Sequence, residues 1–256
     1  MGILRYPLAL IKKAANLVGY ELMERKHAPI DPIIEKDRRF MKIYWKVRPF
    51  TMTPKETMHS LYQEVEYIIN KKIPGDFVEC GVWKGGSAMI IAYTLLALGV
   101  KDRKIYLYDT FEGMSEPTWE DHLVLDKSIS AMSMWKGTLR KTHSAWHYSP
   151  LHQVRKNMIS TGYPKKNIVF VKGMVEDTLK KIYPRKISLL RIDTDWYMST
   201  KAAIDWLYPR LVKGGIIILD DYGHWAGAKK AADENSEVRK LLLTRIDHSC
   251  RMGIKI

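Results

Sequence analysis

Cysteine is nearly missing from this chain. Cys80 and Cys250 are the only two. They are too few for a disulfide framework or a thiolate zinc site, and they point to a reducing compartment. No apolar run approaches the roughly 18 residues that cross a bilayer. Acidic residues are outnumbered: 28 Asp and Glu stand against 42 Lys and Arg, a net charge of +14. Such an excess fits an anionic partner or membrane surface, and equally a solvated, lysine-rich surface. No basic run is long and the arginine- and glycine-rich nucleic-acid signatures are missing, so no nucleic-acid partner is expected. Two phosphate-cradling patterns are missing as well. There is no G-x-G-x-x-G after a strand and no Lys-Ser or Lys-Thr closing a P-loop, which argues against hydride and phosphoryl transfer.

What remains is a normal globular balance over 256 residues, 46% hydrophobic and 27% charged. It supports a sizeable core and excludes a disordered, collagen-like or low-complexity chain. Leu4, Leu8, Ile11, Ala15 and Val18 recur at helical spacing over residues 1–27, around Lys12 and Lys13. The two lysines interrupt the apolar stretch and no small-residue cleavage site comes after it, against a signal peptide. Three readings stay open for this helix: a packing or dimer helix, a basic membrane-surface helix, or a mobile extension. Residues 1–50 hold 11 Lys or Arg against 5 Asp or Glu, which keeps a peripheral membrane contact through residues 1–27 open beside the packing reading. Pro29 and Pro32 break this segment from the rest of the chain.

From Thr53, read as a cap before Pro54, helices and short buried strands alternate. The strands are "GDFVECGVW", "KIYLYDTF", "NIVFVKG", "ISLLRIDTD" and "IIILDDY"; helices start from Gly85, near Leu151–Ser160, from Ser199 and from Gly227. This order predicts an α/β fold, a Rossmann-like, doubly wound, mostly parallel sheet. Residues 1–50 read as an N-terminal helical extension and residues 51–256 as the α/β domain. Residues 114–149 have little periodicity and read as a lid-like insertion.

Three constellations carry chemistry. The turn Glu79-Cys80-Gly81-Val82-Trp83-Lys84-Gly85-Gly86-Ser87 joins a strand to a helix. Its glycines let backbone approach a ligand, and the helix start offers free N–H groups; a plain tight turn is the other reading. Asp109 ends the second strand, where a carboxylate accepts ribose hydroxyls or caps the next turn. Glu176, after the third strand, either accepts from an adenine amino group or starts a helix. Asp193 and Asp195 end the fourth strand and Asp220 and Asp221 the fifth. Neighbouring parallel strands bring these carboxylates to one rim, where a hard divalent cation would relieve their repulsion. The alternative is that one Asp of each pair caps a helix or binds a lysine. His224 is a substrate contact, a second base or a surface loop histidine. His143 and His147 do not make a credible zinc site in so irregular a segment.

The segments "RPFTMT", "GDFVECGVWKGGS", "LYDTFEGMSEP", "VKGMVEDTL", "RIDTDWYMST" and "GGIIILDDYGHWAGAKKA" resemble the class I S-adenosylmethionine-dependent methyltransferases. More closely they resemble the macrocin O-methyltransferase family of metal-dependent sugar O-methyltransferases. The resemblance implies that Glu79, Gly81 and Ser87 line the methionine part of S-adenosyl-L-methionine, that Asp109 holds the ribose and that Glu176 lies near the adenine. It implies that Thr51 closes over the cofactor. Cys80, Val82, Trp83, Thr110, Phe111, Gly113, Val175 and Asp193 complete the implied cofactor site. Asp193, Asp220 and Asp221 are implied Mg²⁺ ligands, with Asp193 also the general base. His224, Trp225 and Tyr197 are the implied substrate side. The expected protein is a cytoplasmic, homo-oligomeric O-methyltransferase, at most peripheral at the inner membrane face. Its acceptor is a small molecule or glycan with adjacent hydroxyls, a sugar hydroxyl of a glycan, glycolipid or glycosylated natural product. A phenol or catechol acceptor is the first alternative. A non-catalytic membrane- or polyanion-binding relic is the second; the intact carboxylates speak against it.

Overall fold

A computed structural model describes residues 31–256. The expected helix over residues 1–27 and the break at Pro29 lie outside the described residues. The chain divides into two compact units, residues 1–38 and 39–256. In the first unit, helix α1 (Pro32–Lys36) starts at Asp31, whose Oδ1 accepts from the Ile33 N–H at 2.8 Å. This is a side-chain N-cap with proline at the first helical position.

Helix α2 (Arg38–Val47) comes next, inside the segment that reads from sequence as a helical extension. It buries Phe40, Ile43, Tyr44 and Val47, the spacing of one helical face. Helix α3 (Lys55–Asn70) buries Met58, Leu61, Val65 and Ile68. Thr53 does not cap it. Pro54 occupies the cap position, and the Thr53 N–H donates instead to Thr51 Oγ1 at 3.0 Å. Next come β1 (Asp76–Cys80), α4 (Gly86–Ala97), β2 (Ile105–Asp109), α5 (Ala131–Lys136), α6 (Leu151–Ser160), β3 (Ile168–Lys172) and α7 (Val175–Thr178). The chain ends with β4 (Ile187–Ile192), α8 (Tyr197–Leu207), β5 (Leu211–Leu219), α9 (Ala226–Glu234), β6 (Thr244–Arg245) and β7 (Arg251–Ile254). Helix α9 stops well before Leu241. Asn235 is extended there, and its Oδ1 accepts from the N–H groups of Glu237 and Val238, which starts a separate turn.

Among the described residues the sheet has the order β3-β2-β1-β4-β5-β7-β6. The first five strands pair in parallel, as the alternating pattern predicted. The C-terminal pair β7 and β6 adds an antiparallel edge that sequence did not show. β1 has β2 on one side and β4 on the other, so the connections diverge between β1 and β4. In doubly wound sheets ligands bind past the carboxyl ends of the strands at that point. Strand β4 is buried along its whole length. Among the described residues no helix is long and apolar enough to cross a membrane.

Candidate active site

The β1–α4 turn is shaped by backbone contact. Gly81 has φ +83°, and a Cβ there would lie 1.8 Å from the Asp193 carbonyl oxygen. A Cβ on Gly86 would lie 2.6 Å from the Phe50 carbonyl oxygen. Only glycine lets these three backbone segments touch. Gly85 precedes α4 with no side-chain cap, so the helix start keeps free N–H groups for an anion. Over this turn opens a cleft of about 590 Å³. Thr51, Glu79, Gly81, Val82, Trp83, Ser87, Asp109, Gly113, Asp193, Asp220, Asp221, His224 and Trp225 all line it. A smaller recess joins it on the far side, lined by Asp109, Thr110, Gly113, Val175, Glu176 and Asp193. Three sequence-predicted residues are not brought to either. Cys80 is wholly buried in the core beside Val78, and Phe111 is buried outside both cavities. Tyr197 turns outward, its hydroxyl donating to Glu234 at 2.7 Å.

Asp109 ties two turns together. One oxygen accepts from the Val82 and Trp83 N–H groups at 2.7 and 3.1 Å, the other from the Phe111 N–H at 2.6 Å. Burial raises its pKa while these bonds lower it. The capping reading of Asp109 is therefore realised, and a ribose hydroxyl reaching it shares oxygens already engaged. Glu176 sits in the first turn of α7 and also lines the recess, with a buried Oε2 that has no partner. Burial raises its pKa.

The acidic rim forms as the strand order requires. Asp193 lies just past β4, and Asp220 and Asp221 just past β5. One oxygen from each lies within 4.8 Å of the others. Asp221 Oδ2 is buried without a partner. Burial, opposed by Arg191 and reinforced by the Asp193 charge, pushes Asp220 up to about 7. Burial and then the charges of Asp195, Asp193 and Asp220 raise Asp221 well above the usual carboxylate range. Crowded oxygen donors with one orphaned oxygen fit a hard divalent cation. Asp195 stands outside the trio, against Asp221 and the Trp225 indole, in a left-handed backbone conformation with φ +61°.

Sequence reading missed Arg191. Its guanidinium, 2% exposed, donates to Glu79 at 2.8 Å, Asp193 at 2.6 Å and Asp220 at 2.7 Å. Glu79 and Arg191 are lateral neighbours in the β1–β4 ladder and so share a face of the sheet. The signal was present: each is a charged residue inside an otherwise apolar strand, and buried charges occur in pairs. Glu79 is pushed up to about 8 by burial, against the pull of Arg191, and its Oε2 has no partner.

The insertion is anchored at both ends of the rim. Asp121, fully buried, accepts from the Thr118 N–H at 2.6 Å and from the Tyr197 N–H at the start of α8 at 2.8 Å. Trp146 of the insertion meets Trp196 and Trp225 at centroid distances of 5.6 and 6.1 Å, and those two meet at 5.0 Å. The Val124 N–H donates to the His224 carbonyl and the Ala226 N–H to the His122 carbonyl, both at 2.9 Å. Leu123, Ile129, Met134 and His147 bring this segment to the cleft. His143 stacks on Tyr148 instead.

The family model described as Macrocin-O-methyltransferase (TylF) matches residues 11–252. The chain belongs to this family. It is 32% identical over 220 residues to a Streptomyces olivaceus tetracenomycin-C 4'-O-methyltransferase, named for an 8-demethyl-8-(2,3-dimethoxy-alpha-L-rhamnosyl) compound. That match covers 84% of this chain and 78% of the relative. It is 31% identical over 190 residues to the demethyldecarbamoylnovobiocin O-methyltransferase of Streptomyces niveus, covering 74% and 69%. Among solved structures, the O-methyltransferase NovP superposes with a TM-score of 0.69 at 28% identity, over 80% of this chain and 82% of that one. As a member of the macrocin O-methyltransferase family the protein is an O-methyltransferase. S-adenosylmethionine is the methyl donor that this fold and family imply.

Proposed function

We propose that this O-methyltransferase methylates a sugar hydroxyl of a glycan, glycolipid or glycosylated natural product, with Mg²⁺ held by Asp193, Asp220 and Asp221. The observation that carries the reading is the carboxylate trio, with its orphaned Asp221 oxygen, beside a glycine turn that takes a cofactor. Two relatives are named for sugar-bearing substrates: the rhamnosyl-tetracenomycin enzyme, and mycinamicin III 3''-O-methyltransferase of Micromonospora griseorubida.

A sugar hydroxyl does not ionise at neutral pH, so its proton must leave as the methyl arrives. A cation at the trio would lower the hydroxyl's pKa and steady the developing negative charge. S-adenosylmethionine would supply a methyl on positive sulfur. The chain does the rest. Asp193 takes the proton, with one of its oxygens fixed by Arg191 at 2.6 Å. Glu79 Oε2 accepts from the methionine amino group, and Ser87 with the start of α4 receives the carboxylate. Asp109 holds the ribose, Val175 and Glu176 face the base, and Thr51 closes the methionine end. Leu123, Ile129, Met134, His147, His224 and Trp225 frame the acceptor and keep water out. Holding acceptor and donor on one rim supplies proximity. An acceptor with two adjacent hydroxyls suits the trio best.

The test is transfer from labelled S-adenosylmethionine to a panel of glycosides and simple catechols, with and without chelator. Glycoside methylation that stops on chelation and returns with Mg²⁺ is the expected outcome. Full turnover after exhaustive EDTA treatment removes the cation from the mechanism, and transfer to catechols alone removes the sugar. Asp193→Ala should abolish turnover while cofactor binding persists.

A further inference from the structure

We infer that Arg191 is a positioning residue that fixes Asp193 and Asp220 as cation ligands and ties them to Glu79 on the cofactor side of the cleft. The inference rests on the cation site proposed above. Three carboxylates from three neighbouring strand ends converge on one planar group. Nη1 spans Glu79 and Asp193, and Nη2 reaches Asp220. The guanidinium is 2% exposed and Glu79 1%, so water does not compete for these bonds. Each of Asp193 and Asp220 spends one oxygen on Arg191, Oδ2 and Oδ1 respectively, which leaves each a second oxygen free of that bond. Asp221 makes no such bond, and its Oδ2 is the orphan. The arrangement is that of a support behind a metal site: an outer group holds the ligands in orientation. A fork of fixed N–H directions suits the task; a point charge on a flexible stem does not. Glu79 extends the support across the ladder, since it pairs with Arg191 yet lines the cofactor cleft. Ion and cofactor sites therefore share one rigid part.

Arg191→Lys separates geometry from charge, because the cation stays and the fork is lost. Mn²⁺ uptake, read by electron paramagnetic resonance, and S-adenosylhomocysteine uptake, read by calorimetry, are compared in the full chain. Arg191→Lys should weaken Mn²⁺ binding at least about tenfold and S-adenosylhomocysteine binding by about threefold or more, with an unchanged circular dichroism spectrum. A merely structural arginine would shift the melting temperature and leave both affinities within twofold. That result in a folded variant overturns the inference. Glu79→Gln is the second variant, should the first fail to fold. It takes away the carboxylate charge facing Arg191 and alters none of the three proposed cation ligands, yet should loosen Mn²⁺ about threefold through Arg191. Unchanged Mn²⁺ binding in Glu79→Gln overturns the link. If the native protein takes up no Mn²⁺, the cation site fails on its own. The cofactor half of the link is then decided by S-adenosylhomocysteine binding to Arg191→Lys.

Discussion

Glu64 gives a quantitative test of how the rim is buried. It lies on α3, 5% exposed. One oxygen accepts from Ser60 Oγ at 2.8 Å and Oε2 has no partner. Burial pushes its pKa from 4.5 up to about 7, against the opposing pull of Ser60 and of the Arg191 charge. A carboxyl whose folded pKa is raised contributes stability that is present in full below about 4.5. That stability drains away as pH rises through about 7. Linkage between these two values gives a loss of about 2.5 kcal/mol between pH 5 and pH 8. Glu64→Gln cannot ionise, so it escapes that loss. The unpartnered amide it buries costs about 1–3 kcal/mol, but equally at both pH values, and cancels in the comparison. Urea denaturation of both proteins at pH 5 and pH 8 measures the difference. Relative to native protein, the variant should gain about 2.5 kcal/mol on going from pH 5 to pH 8. A relative stability that is flat across that range refutes the burial argument.

Gly81→Ala should cost about 3 kcal/mol or more, because a left-handed alanine is strained and its Cβ meets the Asp193 carbonyl at 1.8 Å; a melting temperature within 2 °C of native, on the order of 0.5 kcal/mol, contradicts it. Asp121→Ala frees the Tyr197 and Thr118 N–H groups and should cost about 2–4 kcal/mol. It should also raise KM for the acceptor while S-adenosylhomocysteine affinity stays within about twofold; equal loss of both affinities would show that the insertion also builds the cofactor site. Asp220, raised to about 7 by burial and the Asp193 charge, makes ion-free stability fall as pH rises through that value. Mg²⁺ should therefore raise the melting temperature more at pH 8 than at pH 6, as differential scanning fluorimetry can read, and an equal shift at both is inconsistent with it.

The five parallel strands were legible because each is a short buried run closed by a turn, and period and length are local properties. The same locality hid the C-terminal edge. β6 has two residues, and β7 is a strand through its distant partners β5 and β6. Helix α2 carries a local apolar spacing too, Phe40, Ile43, Tyr44 and Val47 on one face. Local geometry explains why two of the expected residues are not brought to the cleft. Cys80 neighbours Glu79 and so points to the opposite face, into the core. Tyr197 opens α8, and its ring leaves the rim for Glu234. The carboxylate trio could be read because chain order and sheet order together place it. Arg191 required the further step of asking what neutralises a charge inside β4.

The strain around the cleft has two anchors. Trp83, His147 and Asp195 line it, each with a left-handed backbone at φ +46°, +51° and +61°. Such residues cost about 1–3 kcal/mol each and persist only where their surroundings over-determine them. Asp109 holds Trp83 through the Trp83 N–H. His147 adjoins Trp146 and Asp195 adjoins Trp196, and those two indoles pack edge to face at 5.6 Å. Trp196 is 2% exposed and donates to the Ser115 carbonyl at 2.9 Å, in the insertion. One aromatic contact thus fixes a strained residue of the insertion and a strained residue of the rim together. Loosening either indole should relax both, so the acceptor side and the acidic side of the cleft form a single mechanical unit.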